Sequence, residues 1–278
     1  MLVEPNITHT KDKDGDDIIT IKKYLNIKQF NIILMFSLCI PTMNRFDKFL
    51  VHFLPKYIEN TYIDEIIITD ENGNDIKKIC EMFPNNTKLK LFTNKQRLGP
   101  FLNKLEACKK AENEWIVIMD SDNFADIDYF EKGSSFIQNN NLHKNTILAP
   151  SWAQPNFDYR HLSGEIFRKG NIHNIRQREM QNHKTGSECL MNTGNYIINK
   201  YLIDNLNLKN ELDKIPFSHS CDVIYMNTLF FEQLDLNMYV IPNMYYKHTV
   251  HSGSVYTAYS FKFKDFNEYV YKRYRIIK

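Results

Sequence analysis

Long apolar runs are missing from this 278-residue chain. The longest, Ile32-Ile33-Leu34-Met35-Phe36 on to Ile40, is interrupted by Ser37 and stops at Pro41. A membrane-crossing helix needs about 20 apolar residues, so this run is expected to be a buried strand, and no transmembrane segment is expected. The start of the chain has no basic residues leading into an apolar stretch, so no secretory leader is expected either. Cysteine is scarce: Cys39, Cys80, Cys108, Cys189 and Cys221 are odd in number, widely spread and without a C-x-x-C pair. That pattern is neither a disulfide framework nor a set of zinc ligands. It suggests reduced thiols and a cytoplasmic protein. An excess of one charge is also lacking, with 35 Lys and Arg against 33 Asp and Glu and a net charge of +2. Duplex binding calls for a basic face, so no nucleic-acid partner is expected. Internal repeats are absent, and the only compositional bias is towards Asn, Lys and Ile.

What is present describes a globular chain, 43% hydrophobic and 24% charged, able to bury a core as one large domain or two small ones. Residues 1–30 are expected to form a polar, solvated and partly mobile arm ahead of a domain over 31–278. Asp12, Asp14, Asp16 and Asp17 surround Gly15, but the closing Glu of a calcium-binding hand is absent. Beyond the arm, strands and helical patterns alternate. Strands are expected at Ile32–Ile40, Ile63–Ile68, Leu89–Phe92 and Trp115–Met119. Helical spacing joins Phe46, Phe49, Leu50, Phe53, Leu54, Tyr57 and Ile58, with Pro55 placed to end or kink it. Short helical faces follow at Ile76, Ile79, Cys80 and Phe83 and, opened by Pro100, at Phe101, Leu105 and Cys108. Strands and helices in this order predict an α/β fold with a parallel sheet and right-handed crossovers. Ligands of such sheets bind beyond the carboxyl ends of the strands. The chemistry is therefore expected near Pro41–Arg45, Asp70–Asn74, Asn94–Gly99 and Asp120–Asn123.

Later residues are less regular. Ser151–Ser187 has few apolar runs and many polar, basic and aromatic residues, and a structureless stretch of that length suggests function. Arg168, Lys169, His173, Arg176, Arg178, His183 and Lys184 fit either a solvated surface or a lid with an anionic ligand beneath it. Order returns with Asn195–Ile198, a helix over Asp222–Phe231, and strands near Met238–Ile241 and Met244–His248.

Asp120-Ser121-Asp122 follows an apolar strand and opens a polar loop. Alternate residues of an extended segment point the same way, so both carboxylates can address one hard cation, Mn²⁺ or Mg²⁺. Open coordination positions would then take diphosphate oxygens. The plainer alternative is a capped turn.

Phe36-Ser37-Leu38-Cys39-Ile40-Pro41-Thr42-Met43-Asn44-Arg45, then Gly99-Pro100-Phe101-Leu102-Asn103, then Asp120-Ser121-Asp122 together resemble the GT-A fold glycosyltransferases. The similarity is to the large inverting family 2, and it covers roughly Asn31–Asn123 well and the remainder loosely. It implies a mostly parallel central sheet flanked by helices, with a nucleotide-binding half over 31–125 and an acceptor-binding half over 126–278. It also implies a nucleotide-sugar donor, a UDP-sugar first, and a glycan or other hydroxyl acceptor. Carried over, Pro41, Thr42 and Arg45 would line the nucleotide pocket and Asp70 would contact base or ribose. Asn94, Gly99 and Asn103 would border nucleotide and sugar, next to Asp120 and Ser121. Asp120 and Asp122 would hold the metal, with His251, preferred over His248 because of Gly253, as a third ligand. Asp222, at the start of a late helix, would be the general base, with helix capping as the alternative. Phe101-Leu102 depart from the small and basic residues often found before that Asn. The Q-x-x-R-W motif of processive synthases is absent, which implies one sugar per encounter. Two rivals remain on sequence: a haloacid-dehalogenase-type phosphatase, which also has D-x-D after a strand, and an inactive sugar-binding module.

Overall fold

The computed structural model describes residues 6–11, 17–22, 34–217, 220–254 and 263–277, divided between the units Met1–Ile33 and Leu34–Lys278. In the first unit β1 (Asn6–Lys11) pairs antiparallel with β2 (Asp17–Lys22), from Asn6↔Lys22 to Lys11↔Asp17. Both strands lie within the polar arm expected over 1–30. The β-branched Thr and Ile of Ile7-Thr8-His9-Thr10 and Ile18-Ile19-Thr20-Ile21 favour such a pleated ladder. Asp12, Asp14, Gly15 and Asp16 lie outside the described residues, as do Ile32 and Ile33.

The second unit is built on a mixed sheet. Its strands are β3 (Phe36–Thr42), β4 (Ile63–Asp70), β5 (Leu89–Thr93), β6 (Trp115–Ile118), β7 (Thr146–Gln154), β8 (Phe157–Asp158), β9 (Ile166–Phe167), β10 (Ile197–Asn199) and β11 (Asn237–Lys247). Their order is β5-β4-β3-β6-β10-β7-β11-β9, with β8 paired to β7. β3 runs parallel to β4 and β6, β4 to β5, and β11 to β7, while β10 is inserted antiparallel between β6 and β7. Every residue of β3 and β6 is buried, as expected for strands covered on both faces by crossover helices. Those helices are α1 (Val51–Glu59), α2 (Asn74–Met82) and α3 (Gly99–Lys109). A π-type turn at Phe46–Leu50 leads into α1, with Leu50 N–H on the Arg45 carbonyl at 3.3 Å, and α1 runs on through Pro55.

The later helices are α4 (Ile127–Asn139), α5 (Ile172–Gln181), α6 (Ser187–Met191), α7 (Lys200–Asp204), α8 (Asp222–Leu234) and α9 (Lys264–Arg275). Ser151–Ser187 is more ordered than its polarity suggests, because Ile172, Ile175 and Glu179 bury one face of α5 at helical spacing. The two strands expected near the end form the single strand β11. It shifts register between Ile241 and Tyr245, where Pro242 lacks an N–H for the ladder and Asn243 takes a positive φ of 57°. α8 buries every residue from Val223 to Phe231, and Arg273 of α9 is bound to Glu211 and Glu232 beside it. Among the described residues, no helix is long and apolar enough to cross a membrane.

Candidate active site

β3 ends at Thr42, β4 at Asp70, β5 at Thr93 and β6 at Ile118, so all four expected loops share the carboxyl edge of the parallel strands. Two aspartates hold the first loops in shape. Fully buried Asp70 accepts the N–H groups of Asn72 (3.2 Å), Asp75 (2.8 Å) and Ile76 (3.2 Å) at the start of α2. Asp75 accepts the Thr42 hydroxyl at 2.6 Å and the N–H groups of Arg45 and Phe46. Pro41 is buried in β3. The polar atoms of Thr42 and Asp70 thus bind the protein's own backbone and side chains. The next residue is placed differently. Glu71 is 7% exposed, its Oε2 accepts Leu98 N–H at 2.7 Å, and its buried Oε1 has no partner among the described residues. Burial pushes the Glu71 carboxyl above the usual glutamate range. Sequence reasoning settled on Asp70. The signal for Glu71 was strand alternation, which sends neighbouring side chains to opposite faces.

Asn94 donates to Asn103 Oδ1 at 2.9 Å, and Asn103 donates to the Thr69 carbonyl at 3.2 Å. These asparagines tie α3 to β4 under the loops. Gly99, at the start of α3, has a φ of +79°, and a Cβ there would lie 1.9 Å from the Phe217 carbonyl oxygen. Only glycine fits both the backbone angle and the contact.

The acids form two clusters. Asp120 Oδ1 lies 2.9 Å from Lys104 Nζ, and Asn195 donates to Asp120 Oδ2 at 3.3 Å while accepting its N–H at 2.7 Å. The same Lys104 Nζ lies 2.8 Å from Asp222 Oδ2, at the first residue of α8. Ser121 is buried between the two aspartates of its motif. In the second cluster His251 Nε2 is 2.8 Å from Asp122 Oδ2, and Gly253 N–H donates to His251 Nδ1 at 3.2 Å. With Nδ1 accepting, the hydrogen-bond pattern assigns the ring proton to Nε2. The His251 ring packs on Phe49 with centroids 5.1 Å apart, and Arg45 Nη2 donates to the Gly253 carbonyl at 2.5 Å. Arg45, Asp122, His251 and Gly253 are therefore one assembly. His248 is held elsewhere, by Asn156 at 2.9 Å and the Phe157 ring, and burial draws its pKa down.

Among the described residues, no three His, Cys, Asp or Glu side chains converge on one metal position. Asp120 is turned to Lys104, leaving Asp122 and His251 as a pair. The carboxylate oxygen suits Mn²⁺ or Mg²⁺ and the imidazole favours Mn²⁺ of the two, and two protein donors suffice where diphosphate oxygens complete the shell. Within the basic stretch, Arg176 pairs with Glu188 and Arg178 with Glu165. Lys184, Thr185, Asp158, Arg160 and His161 line a cleft of about 650 Å³. Lys104 and Asn195 were not anticipated. Lys104 did carry a signal, since it falls with Phe101, Leu105 and Cys108 on the inward face of α3.

Helices around a mostly parallel sheet, with acids and a histidine gathered at its carboxyl edge, define a GT-A fold. Residues 37–205 match the model of Glycosyl transferase family 2, and the chain belongs to that family. This membership sets aside the phosphatase alternative. Residues 1–349 of S. aureus TarS in complex with UDP-GlcNAc superpose with a TM-score of 0.61 at 17% identity, covering 86% of this chain and 66% of that one. The corresponding UDP complex gives 0.57 at 15%, with 86% and 64% covered. Mannosyltransferase PcManGT from Pyrobaculum calidifontis, in complex with GDP-Man and Mn²⁺, gives 0.52 at 14%, with 80% and 59% covered. These likenesses establish the fold, and the chain spans at most 66% of the length of each of the three. No curated protein sequence matches the chain significantly.

Proposed function

We propose that this chain transfers one sugar from a nucleotide-sugar, a UDP-sugar first, to a hydroxyl acceptor with inversion at the anomeric carbon. The observation that carries the proposal is the joining of Asp120 and Asp222 through Lys104 at the sheet edge of a family 2 chain. That juxtaposition brings an acid of the D-x-D loop beside an acid of the later half. The UDP and UDP-GlcNAc bound to TarS support the donor class, and the Mn²⁺ bound to PcManGT supports a metal.

The nucleotide-binding half is 31–125 and the acceptor half 126–278. Glu71 Oε1 accepts a hydrogen bond from base or ribose, and Arg45 faces the diphosphate. Gly99, Asn94 and Asn103 shape the floor beneath them. Asp122 and His251, which lie 2.8 Å apart, would hold the divalent cation, with Asp120 alongside. A cation held there would supply positive charge against the charge growing on the departing nucleoside diphosphate.

Asp222 accepts the proton of the acceptor hydroxyl as the oxygen attacks, because a sugar hydroxyl is a poor nucleophile near neutral pH. The acceptor approaches over the Ser151–Ser187 side, where Lys184 and His161 line the cleft. None of the five cysteines is in a disulfide, which supports a cytoplasmic setting. NMR of the product tests the mechanism: inversion is expected, and retention would overturn the single-displacement step while leaving the fold untouched.

A further inference from the structure

We infer that Lys104 is a positioning residue for transfer, locking Asp120 and Asp222 into one rigid unit. The inference rests on the transferase function proposed above. Lysine is almost never buried without partners, and the Lys104 side chain is only 9% exposed. Its ammonium stands 2.9 Å from Asp120 and 2.8 Å from Asp222, on three separate pieces of chain: α3, the loop after β6, and the start of α8.

The lysine stem has been given room. A Cβ on Gly194 would sit 3.4 Å from Lys104 Cε and 2.7 Å from Val223 Cγ2, so a bare backbone borders both the lysine and the first turn of α8. The next residue, Asn195, grips Asp120 from the other side. The packing of Phe101 against Tyr225, with centroids 5.8 Å apart, holds α3 to α8 just beyond.

The charge count explains why the linker is a cation. Two carboxylates at this spacing repel, and a nucleoside diphosphate arriving at the same edge adds more negative charge. One ammonium between them leaves a local charge of −1 and fixes where the Asp222 carboxylate stands relative to the donor side. Removing Lys104 takes away a 2.8 Å contact that helps to place the Asp222 carboxylate, and a misplacement of about 1 Å can cost about 10²-fold in rate.

The test measures UDP release from UDP-GlcNAc, and GDP release from GDP-mannose, with Mn²⁺, for the full chain. Lys104→Met should lower kcat about 10²-fold while the donor KM and the calorimetric affinity for UDP stay within about threefold, because the lysine acts through the acceptor-side acid. In an Asp222→Asn background, Lys104→Met should change kcat less than about threefold. Lys104→Arg keeps the charge with a bulkier head, and should fold and lose about tenfold in kcat alone. Three results would overturn the role: wild-type kcat in either single variant, a loss of UDP affinity matching the loss of kcat, or full additivity with Asp222→Asn. A wild-type protein that turns over neither donor would instead overturn the transferase function itself, and this inference with it.

Discussion

Gly99→Ala separates a demand of the backbone from a demand of the ligand. The residue opens α3 with φ at +79°, and its new Cβ would stand 1.9 Å from the Phe217 carbonyl oxygen and 3.1 Å from the Phe217 carbonyl carbon. Placing an alanine in the left-handed region costs about 1–2 kcal/mol. Relieving a contact with main-chain atoms needs a backbone shift of the kind that costs about 1–3 kcal/mol in tight packing. Together these give a loss of about 2–5 kcal/mol. For a unit of this size, 1 kcal/mol corresponds to about 2–4 °C, so thermal denaturation should show a drop of roughly 5–15 °C. The same shift disturbs Leu98, whose N–H binds Glu71 at 2.7 Å, and nucleotide affinity should fall with stability. A melting temperature within about 2 °C of the wild type would refute the reasoning, because neither the backbone strain nor the contact would then be present.

Other perturbations read the site more locally. Asp222→Asn should lower transfer about 10²- to 10⁴-fold, the range of general-base effects, with donor affinity in calorimetry unchanged; retained transfer would assign the proton to another group. Glu71→Gln keeps an oxygen for Leu98 but removes the carboxylate charge, and should weaken UDP binding about tenfold, as for a lost charged hydrogen bond; an unchanged affinity would remove Glu71 from the nucleotide pocket. His248 has its pKa lowered by burial, so the unfolded chain binds a proton that the folded chain resists. Its contribution to stability is complete above about pH 6.5 and is lost as pH falls through that value towards the lower folded pKa. Melting temperatures of wild type and His248→Gln between pH 7.5 and 5.5 should therefore diverge, with the wild type falling more steeply; parallel slopes would contradict this.

The first half of the fold was legible because its strands carry apolar runs and its helices show clean spacing, as in Trp115–Met119 and in Phe101, Leu105 and Cys108. The paired strands Asn6–Lys11 and Asp17–Lys22 and the helix Ile172–Gln181 were hidden by polar composition, since each carries only a thin β-branched or apolar stripe among polar neighbours. The contact between Asp122 and His251 was legible in part: the D-x-D spacing marked Asp122, and Gly253 singled out His251 over His248. Asp70 and Glu71 show where sequence stops. Both are acids at a strand end, and only the hydrogen bonds reveal that Asp70 is spent on capping α2. Helical spacing put Lys104 on the inward face of α3, but its partners, Asp120 and Asp222, meet it only through the packing of α3 against α8.

In the proposed transfer a nucleotide-sugar is bound and broken at the edge where Asp120, Asp122, Asp222 and His251 gather. The most direct test of that transfer is nucleoside diphosphate release from UDP-GlcNAc and GDP-mannose, with Mn²⁺ and with EDTA, for wild type and Asp122→Asn. Turnover by wild type with Mn²⁺, lost in EDTA and lowered by about 10² or more in Asp122→Asn, is the predicted result. Undiminished turnover in Asp122→Asn, or no turnover of either donor by wild type under any condition, would contradict it.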